Sequence, residues 1–275
     1  MDRQKRFEEL YAPLYTPLPD SGKYLERIGM APILKPDKET LDALVIAHQR
    51  NVPFENLDVY DCDVEVPLSI AKLFEKIVLR RRGGYCFELN AAFMSLLKSL
   101  GYDCYAVAAR VLMNVDRAMP LSHRGTIVTI DGVRYFCDVG FGGPSPQGTL
   151  LLDEPGEQIS GPNVFIIVKD DRGTVIYRVV GDDRETVISF SEAVCDPIDF
   201  LALNEYQSRN KNSGFKASRM CNLVTETGCI TLGGNALKIH SGGDTVERTL
   251  ETEQELRNAL KEHYGIDADF ALRMD

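Results

Sequence analysis

Tryptophan is missing from this 275-residue chain, and there are only four histidines. Basic charge is also short, since 31 Lys and Arg against 41 Asp and Glu leave a net charge of -10. A general nucleic-acid surface needs a basic stripe that this balance does not supply. A local basic pocket for one anionic ligand stays compatible with it. No apolar run approaches the ~18 residues of a membrane span. The opening MDRQKRFEEL lacks the apolar core of a secretory signal. Seven cysteines, odd in number and widely scattered, make no disulfide framework. There is no Cys-x-x-Cys pair and no His/Cys cluster at zinc spacing, so no structural metal is expected. The class left standing is a reduced, cytoplasmic, globular enzyme without a nucleic-acid or membrane partner.

What is present falls into three parts. The first hundred residues read mainly as helices. Leu41, Leu44, Val45 and His48 fall at i, i+3, i+4 and i+7, one face of a helix that ends before Val52-Pro53. Ser69 reads as an N-cap for a stripe of Ile70, Leu73, Phe74, Ile77 and Val78. A third helix runs from about Cys86 to Leu100, with Gly101 as its C′ residue. From Asp103 the period shifts toward strands. Asp131-Gly132 joins two of them in a hairpin, and Asp171-Arg172-Gly173 turns between two more. Residues 142–163 hold many Gly and Pro and read as one long loop. The segment from about 200 is mixed and closes with a capping box, Thr252 to Glu255, opening a helix on Leu256, Leu260 and Tyr264. No internal repeat occurs.

Chemistry concentrates at LeuArgArgArgGlyGlyTyrCysPheGluLeuAsn, residues 79–90. A cysteine in the first turn of a helix meets unsatisfied N–H groups and the positive end of the dipole, which favours the thiolate. Gly83 and Gly84 leave Cys86 approachable, and the arginines add positive charge. Most cysteines are inert small hydrophobes, and Cys62, Cys104, Cys137, Cys195, Cys221 and Cys229, which lack this setting, are read that way. A thiolate catalyst needs a base. His48 lies on an apolar helix face and reads as packed. His240 and His263 default to solvent exposure. His123 stands apart because of the Asp-Gly turn. With a two-residue loop, Ile130 pairs with Val133, His123 falls opposite Gly140, and Asp138 falls opposite Gly125. His123 and Asp138 are then diagonal neighbours on one face, ~7–8 Å apart and within side-chain reach. Asp138 would hold one ring nitrogen and direct the other at Cys86. A register slip of one residue would separate them.

These residues carry a resemblance. TyrLeuGluArgIle (24–28), ValProPheGluAsnLeu (52–57), ArgGlyGlyTyrCysPheGluLeuAsn (82–90), SerHis (122–123) and AspValGlyPheGly (138–142) occur in the order typical of arylamine N-acetyltransferases. The chain resembles that family through most of its length, with the resemblance weakening after about residue 200. The resemblance implies an α+β fold: a helical bundle over 1–100, a β-barrel-like domain over 101–205 and an α/β lid over 206–275, around a cysteine-protease-like Cys-His-Asp core. It implies a Cys86, His123, Asp138 triad that takes acetyl from acetyl-CoA onto the thiol and passes it to an arylamine, hydrazine or N-hydroxyarylamine by ping-pong transfer. It further implies that Phe54, Phe141 and Val111 line the acceptor pocket. Ser122 and the backbone at Gly140, Phe141 and Gly142 would meet the pantetheine and pyrophosphate of CoA. For Phe54 and Val111 the bland alternative is core packing. Glu55 and Arg82 are expected as a buried bidentate pair bracing the Cys86 turn. The chain departs from the family pattern in lacking a proline over Ser208–Phe215 and in carrying Arg124 after the histidine.

Two other readings remain open at this level. The same triad serves a macrolactam-forming amide synthase or a papain-like hydrolase. A reactive thiol alone would also suit a CoA-binding or redox-sensing protein.

Overall fold

A computed structural model of the protein describes every residue except Met1, Ile33, Leu34, Asn114, Asp116, Ala118, Arg172 and Asp275. The helical periodicity of the first hundred residues resolves into α1 (Arg3–Leu10), α2 (Ser21–Arg27), α3 (Lys38–Asn51), α4 (Leu57–Tyr60), α5 (Ile70–Phe74) and α6 (Cys86–Ser99), with a two-residue strand β1 (Phe54–Glu55) between α3 and α4. Asp37 caps α3 by accepting the Thr40 N–H at 3.0 Å, and Leu41, Leu44, Val45 and His48 are buried along one face. Ser69 stands at the N-cap of α5, but its side chain makes no capping bond. At Glu75 the helix widens into a π turn, Glu75–Leu79, and Ile77 and Val78 stay buried with Ile70, Leu73 and Phe74. α6 stops where the sequence indicates, with Leu100 as C-cap and Gly101 in the left-handed region at φ 90°.

The middle of the chain is a sheet curled into a nearly closed barrel. Its strands are β2 (Asp103–Val111), β3 (His123–Ile130), β4 (Val133–Cys137), β5 (Leu150–Leu151), β6 (Glu157–Ser160), β7 (Asn163–Asp170), β8 (Gly173–Val180) and β9 (Asp183–Phe190). The spatial order is β5-β4-β3-β2-β9-β8-β7-β6. Gln158 ties the two ends together, donating to the Leu151 carbonyl at 2.9 Å and accepting the Leu151 N–H at 2.7 Å. The expected hairpin is present. Asp131 and Gly132 both take positive φ (51° and 82°), and pairing runs from Ile130–Val133 to Thr126–Cys137. Residues 142–163 are not one loop, because β5 and β6 lie within them. Strands of two and four residues are too short to show alternation. Of the Asp171-Arg172-Gly173 turn, Arg172 lies outside the described residues.

The last part holds α7 (Phe200–Arg209), α8 (Gly214–Ala217), β10 (Met220–Val224), β11 (Gly228–Gly233), β12 (Ala236–Ser241), β13 (Asp244–Thr249) and α9 (Glu253–Tyr264). Its antiparallel sheet has the order β1-β10-β11-β12-β13, so an edge strand is supplied by the helical region. Thr252 caps α9 by accepting the Glu255 N–H at 3.2 Å, while the Glu255 carboxylate reaches the N–H of Glu251 (2.8 Å). Leu256, Leu260 and Tyr264 are buried in one cluster with Leu57, Cys221 and Leu232. The architecture is α+β: helical bundle, barrel and α/β lid.

Candidate active site

The turn before α6 is built for close approach. A Cβ on Gly83 would lie 1.9 Å from the Pro53 carbonyl oxygen, and one on Gly84 would lie 2.7 Å from Glu88 Oε2. Only glycine lets the chain pass this near. The Glu55 N–H bonds the Gly84 carbonyl at 2.9 Å, and Glu88 Oε2 accepts the Tyr85 N–H at 3.1 Å. Glu88 thereby caps the helix and sets Cys86 in its first turn.

The arginines do not gather around the thiol. Arg80 and Arg81 are exposed, whereas Arg82 is buried among acids. Its Nε (3.0 Å) and Nη2 (2.8 Å) both meet Glu55 Oε1, and Nη2 also meets Asp58 Oδ1 at 2.9 Å. The expected two-oxygen fork is therefore not formed, because the Leu57 N–H occupies Glu55 Oε2 at 2.8 Å. Lys76 Nζ completes the cluster, 2.7 Å from both Asp58 and Glu88. Burial, only partly offset by Lys76, raises the Glu88 carboxyl to about 7. Lys76 itself stays above its ordinary value, since burial works downward but the carboxylates of Glu88, Glu55 and Asp58 outweigh it.

On the inner side of α6 the structure brings the three expected residues together. Cys86 Sγ lies 3.5 Å from the Ser122 carbonyl oxygen. His123 Nε2 lies 2.6 Å from Asp138 Oδ2, which leaves Nδ1 for the Cys86 thiol, the other hydrogen-bond partner of the ring. Asp138 stands one residue beyond the end of β4, so the hairpin register carries it to its place without a paired strand around it. Burial alone would lower the His123 pKa, but the charge and hydrogen bond of Asp138, with the thiol contact, push it up to about 10. His123 is thus held toward its protonated form, with the Cys86 thiol against its other ring nitrogen. Asp138 Oδ1 accepts from the Gly140 N–H (2.9 Å) and from Asn90 Nδ2 (2.8 Å). Asn90, one turn after Cys86, also donates to the Arg124 carbonyl (2.6 Å) and accepts the Val139 N–H (3.0 Å). Gln49 Nε2 holds the Asp138 carbonyl at 3.0 Å.

Cys86 and His123 open onto a cavity of about 570 Å³ bounded by the barrel, the lid sheet and the Gly140–Gly143 stretch. Phe141 meets the His123 ring edge-on, with centroids 5.5 Å apart. Phe54 packs on Gly142, where a Cβ would come within 2.7 Å of its ring, and stacks obliquely on Phe215 at 6.1 Å.

Residues 37–273 match the family model described as N-acetyltransferase. The arylamine N-acetyltransferase of Mycolicibacterium smegmatis is 32% identical over 254 residues, covering 90% of this chain and 92% of that protein. That of Escherichia coli is 27% identical over 256 residues, covering 92% and 91%. The chain belongs to the arylamine N-acetyltransferase family. Among solved family members, the Mycobacterium tuberculosis enzyme superposes with a TM-score of 0.85 at 33% identity, covering 90% of this chain and 94% of that one. The Mycobacterium marinum enzyme in complex with CoA gives 0.84 at 31%, covering 90% and 93%.

In this family member, Phe54, Val111, Ser122, Gly140, Phe141 and Gly142 all line the one cavity with Cys86 and His123, while Asp138 stands behind the histidine. The sequence divided the first six into donor and acceptor groups; the structure gathers them around a single space. Asn90 was missed as a site residue, although its i+4 spacing from Cys86 puts both on one helix face. The lid's contribution, Phe215, Met220, Asn222, Thr231 and Lys238, was missed as well. The remaining histidines stay out of the site. His48 is fully buried against the Tyr24 hydroxyl at 3.0 Å, and burial lowers its pKa to about 3. His240 and His263 are half-buried rather than exposed, being packed on the lid sheet and on α9. Burial pushes the Cys62 and Cys104 thiols up to about 11. Among the described residues no group of three or more His, Cys, Asp or Glu could hold a metal ion, and no helix is long and apolar enough to cross a membrane.

Proposed function

We propose that the protein transfers an acetyl group from acetyl-CoA to an arylamine, arylhydrazine or N-hydroxyarylamine through an acetyl-Cys86 intermediate. The observation that carries this reading is the buried Cys86–His123–Asp138 line at the floor of a largely apolar cavity. In the first half-reaction the Cys86 thiolate attacks the thioester carbonyl. The C–S bond to CoA breaks, and the proton on His123 goes to the departing CoA sulfur. In the second, the amine nitrogen attacks the acetyl-cysteine, His123 takes the N–H proton, and Cys86 leaves as thiolate. The tetrahedral collapse at each stage is between two sulfurs or a sulfur and a nitrogen, so one nucleophile serves both. Asp138 orients the imidazole and balances its charge. A thiol only 2% exposed and flanked by Phe54 and Phe141 favours transfer to an aromatic amine over transfer to water. Ser122 and Gly140–Gly142, which the resemblance assigns to the pantetheine and pyrophosphate, line the cavity with Cys86 itself and so take the pantetheine at its thioester end rather than the pyrophosphate, while Phe54, Val111 and Phe141 take the acceptor ring, each in turn within the same space.

We read 1–100, 101–205 and 206–275 as three working units whose cores interlock: the helical cluster takes in Tyr102, Cys104, Ala106, Val128, Tyr135, Cys137, Val139 and Phe200, the lid cluster takes in Leu57, and Phe54–Glu55 joins the lid sheet. All seven cysteines are free, which agrees with work in the reducing cytoplasm. The test is discharge of isolated acetyl-enzyme. Adding an aromatic amine should release stoichiometric N-acetyl product much faster than buffer alone releases acetate. Equal rates would point to a hydrolase instead.

A further inference from the structure

We infer that Lys238 holds the phosphate end of the acyl donor, at the far end of a single register row that begins beside Cys86. This rests on the reading of acetyl-CoA as donor given above. Phe54, Asn222, Thr231 and Lys238 are direct partners across β1, β10, β11 and β12. Directly paired residues project from the same face of a sheet, and all four line the cavity. At the Phe54 end the backbone bridges to Gly84, two residues before the nucleophile. Three strand spacings of ~4.8 Å put Lys238 about 14 Å further along the row.

Charge and length then select the ligand. Among the described residues lining the cavity, Lys238 is the only one with a permanent charge, and none carries a carboxylate. Its partner, Glu247, is the next residue of the same row on β13, with Nζ and Oε1 3.2 Å apart and the two side chains 43% and 54% exposed. A half-exposed pair of this kind is weakly held, so a phosphate can draw the ammonium away from it. His240, two residues outward on the same face of β12, is engaged by Thr245 Oγ1 at 2.9 Å. A single aromatic ring whose amine touches the acetyl-cysteine is too short to place an acidic substituent at Lys238. The pantetheine arm of CoA, laid along Asn222 and Thr231, is long enough to deliver its phosphates there. The net charge of -10 then presents no obstacle to a polyanionic donor, because the row sets a cation at the far end of a cavity whose described lining residues include no carboxylate.

The experiment compares acylation of Cys86 by acetyl-CoA with acylation by p-nitrophenyl acetate, a donor without phosphate, in wild type, Lys238→Ala and Glu247→Gln. The readout is the ratio of kcat/KM for the two donors. Loss of one charge–phosphate contact should lower that ratio about tenfold in Lys238→Ala, through KM for acetyl-CoA, and added salt should shrink the difference. Glu247→Gln, which frees the ammonium, should raise the ratio. An unchanged ratio in both variants overturns the inference, as does an equal loss on both donors, which would mean a merely structural lysine. If p-nitrophenyl acetate acylates wild-type Cys86 and acetyl-CoA does not at any concentration, the donor reading itself fails and the inference falls with it.

Discussion

Replacing Asn90 with alanine tests how the helix that carries the nucleophile is locked to the strand end that carries its partners. Asn90 is fully buried and makes three hydrogen bonds, to Asp138 Oδ1, the Arg124 carbonyl and the Val139 N–H. Asp138 retains the Gly140 N–H and His123, so the carboxylate is not stripped, but the Val139 N–H loses the bond that Asn90 supplies. A buried polar group left unmet costs ~1–3 kcal/mol. With the two weakened acceptors added, the total is about 3 kcal/mol. For a chain of this size that lowers Tm by about 5 °C. The activity loss should exceed what unfolding explains. Asp138 freed on one side lets the imidazole swing, and a positioning loss of this kind slows acylation by about 10- to 100-fold. Thermal melts give the first number. Rapid-mixing release of nitrophenolate from p-nitrophenyl acetate, well below the variant's Tm, gives the second. A variant that melts within about 2 °C of wild type and acylates at the wild-type rate would refute the argument.

The His123 pKa, ordinarily 6.5, rises to about 10 because the effects of Asp138 and the Cys86 thiol exceed the opposing effect of burial. Its stabilising contribution is therefore complete below about pH 6.5 and is lost as pH climbs through about 10. Asp138→Asn removes the main raising charge, so the fall in Tm over that window should flatten; curves that run parallel for the two proteins would contradict the assignment. Arg82→Met leaves Glu55, itself only 1% exposed, without its principal cation. Breaking a buried pair from one side costs ~3–5 kcal/mol. Chemical denaturation should show that loss, with partial recovery in the double variant Arg82→Met/Glu55→Gln and little change in m.

Much of the site was legible because its chemistry depends on local rules. A glycine pair before a helix start fixes Cys86, and a two-residue Asp-Gly turn counts out the distance from His123 to Asp138. The α3 face and the Gly101 stop were equally local. What could not be read depends on pairings distant in sequence. β5 and β6 are too short to show a period, and β9 opens with Asp183-Arg184-Glu185, whose charges hide the alternation that follows. Phe54 and Glu55 join a sheet whose other strands lie more than 160 residues later, which no window of sequence can reveal. For the same reason the lid's share of the cavity, Phe215 through Lys238, was invisible. The arginine cluster was misread in part: its position suggested thiol activation, yet Arg82 is turned into the acids behind the turn, where it braces Glu55 and Asp58.

The central claim is that Cys86 carries the acetyl group, and the intact mass of the protein after incubation with acetyl-CoA alone tests it most directly. Wild-type protein should gain one acetyl adduct and Cys86→Ala none, and the adduct should disappear when an aromatic amine is added. An adduct that persists in Cys86→Ala, or no adduct on wild type despite measurable binding of acetyl-CoA, would contradict that claim.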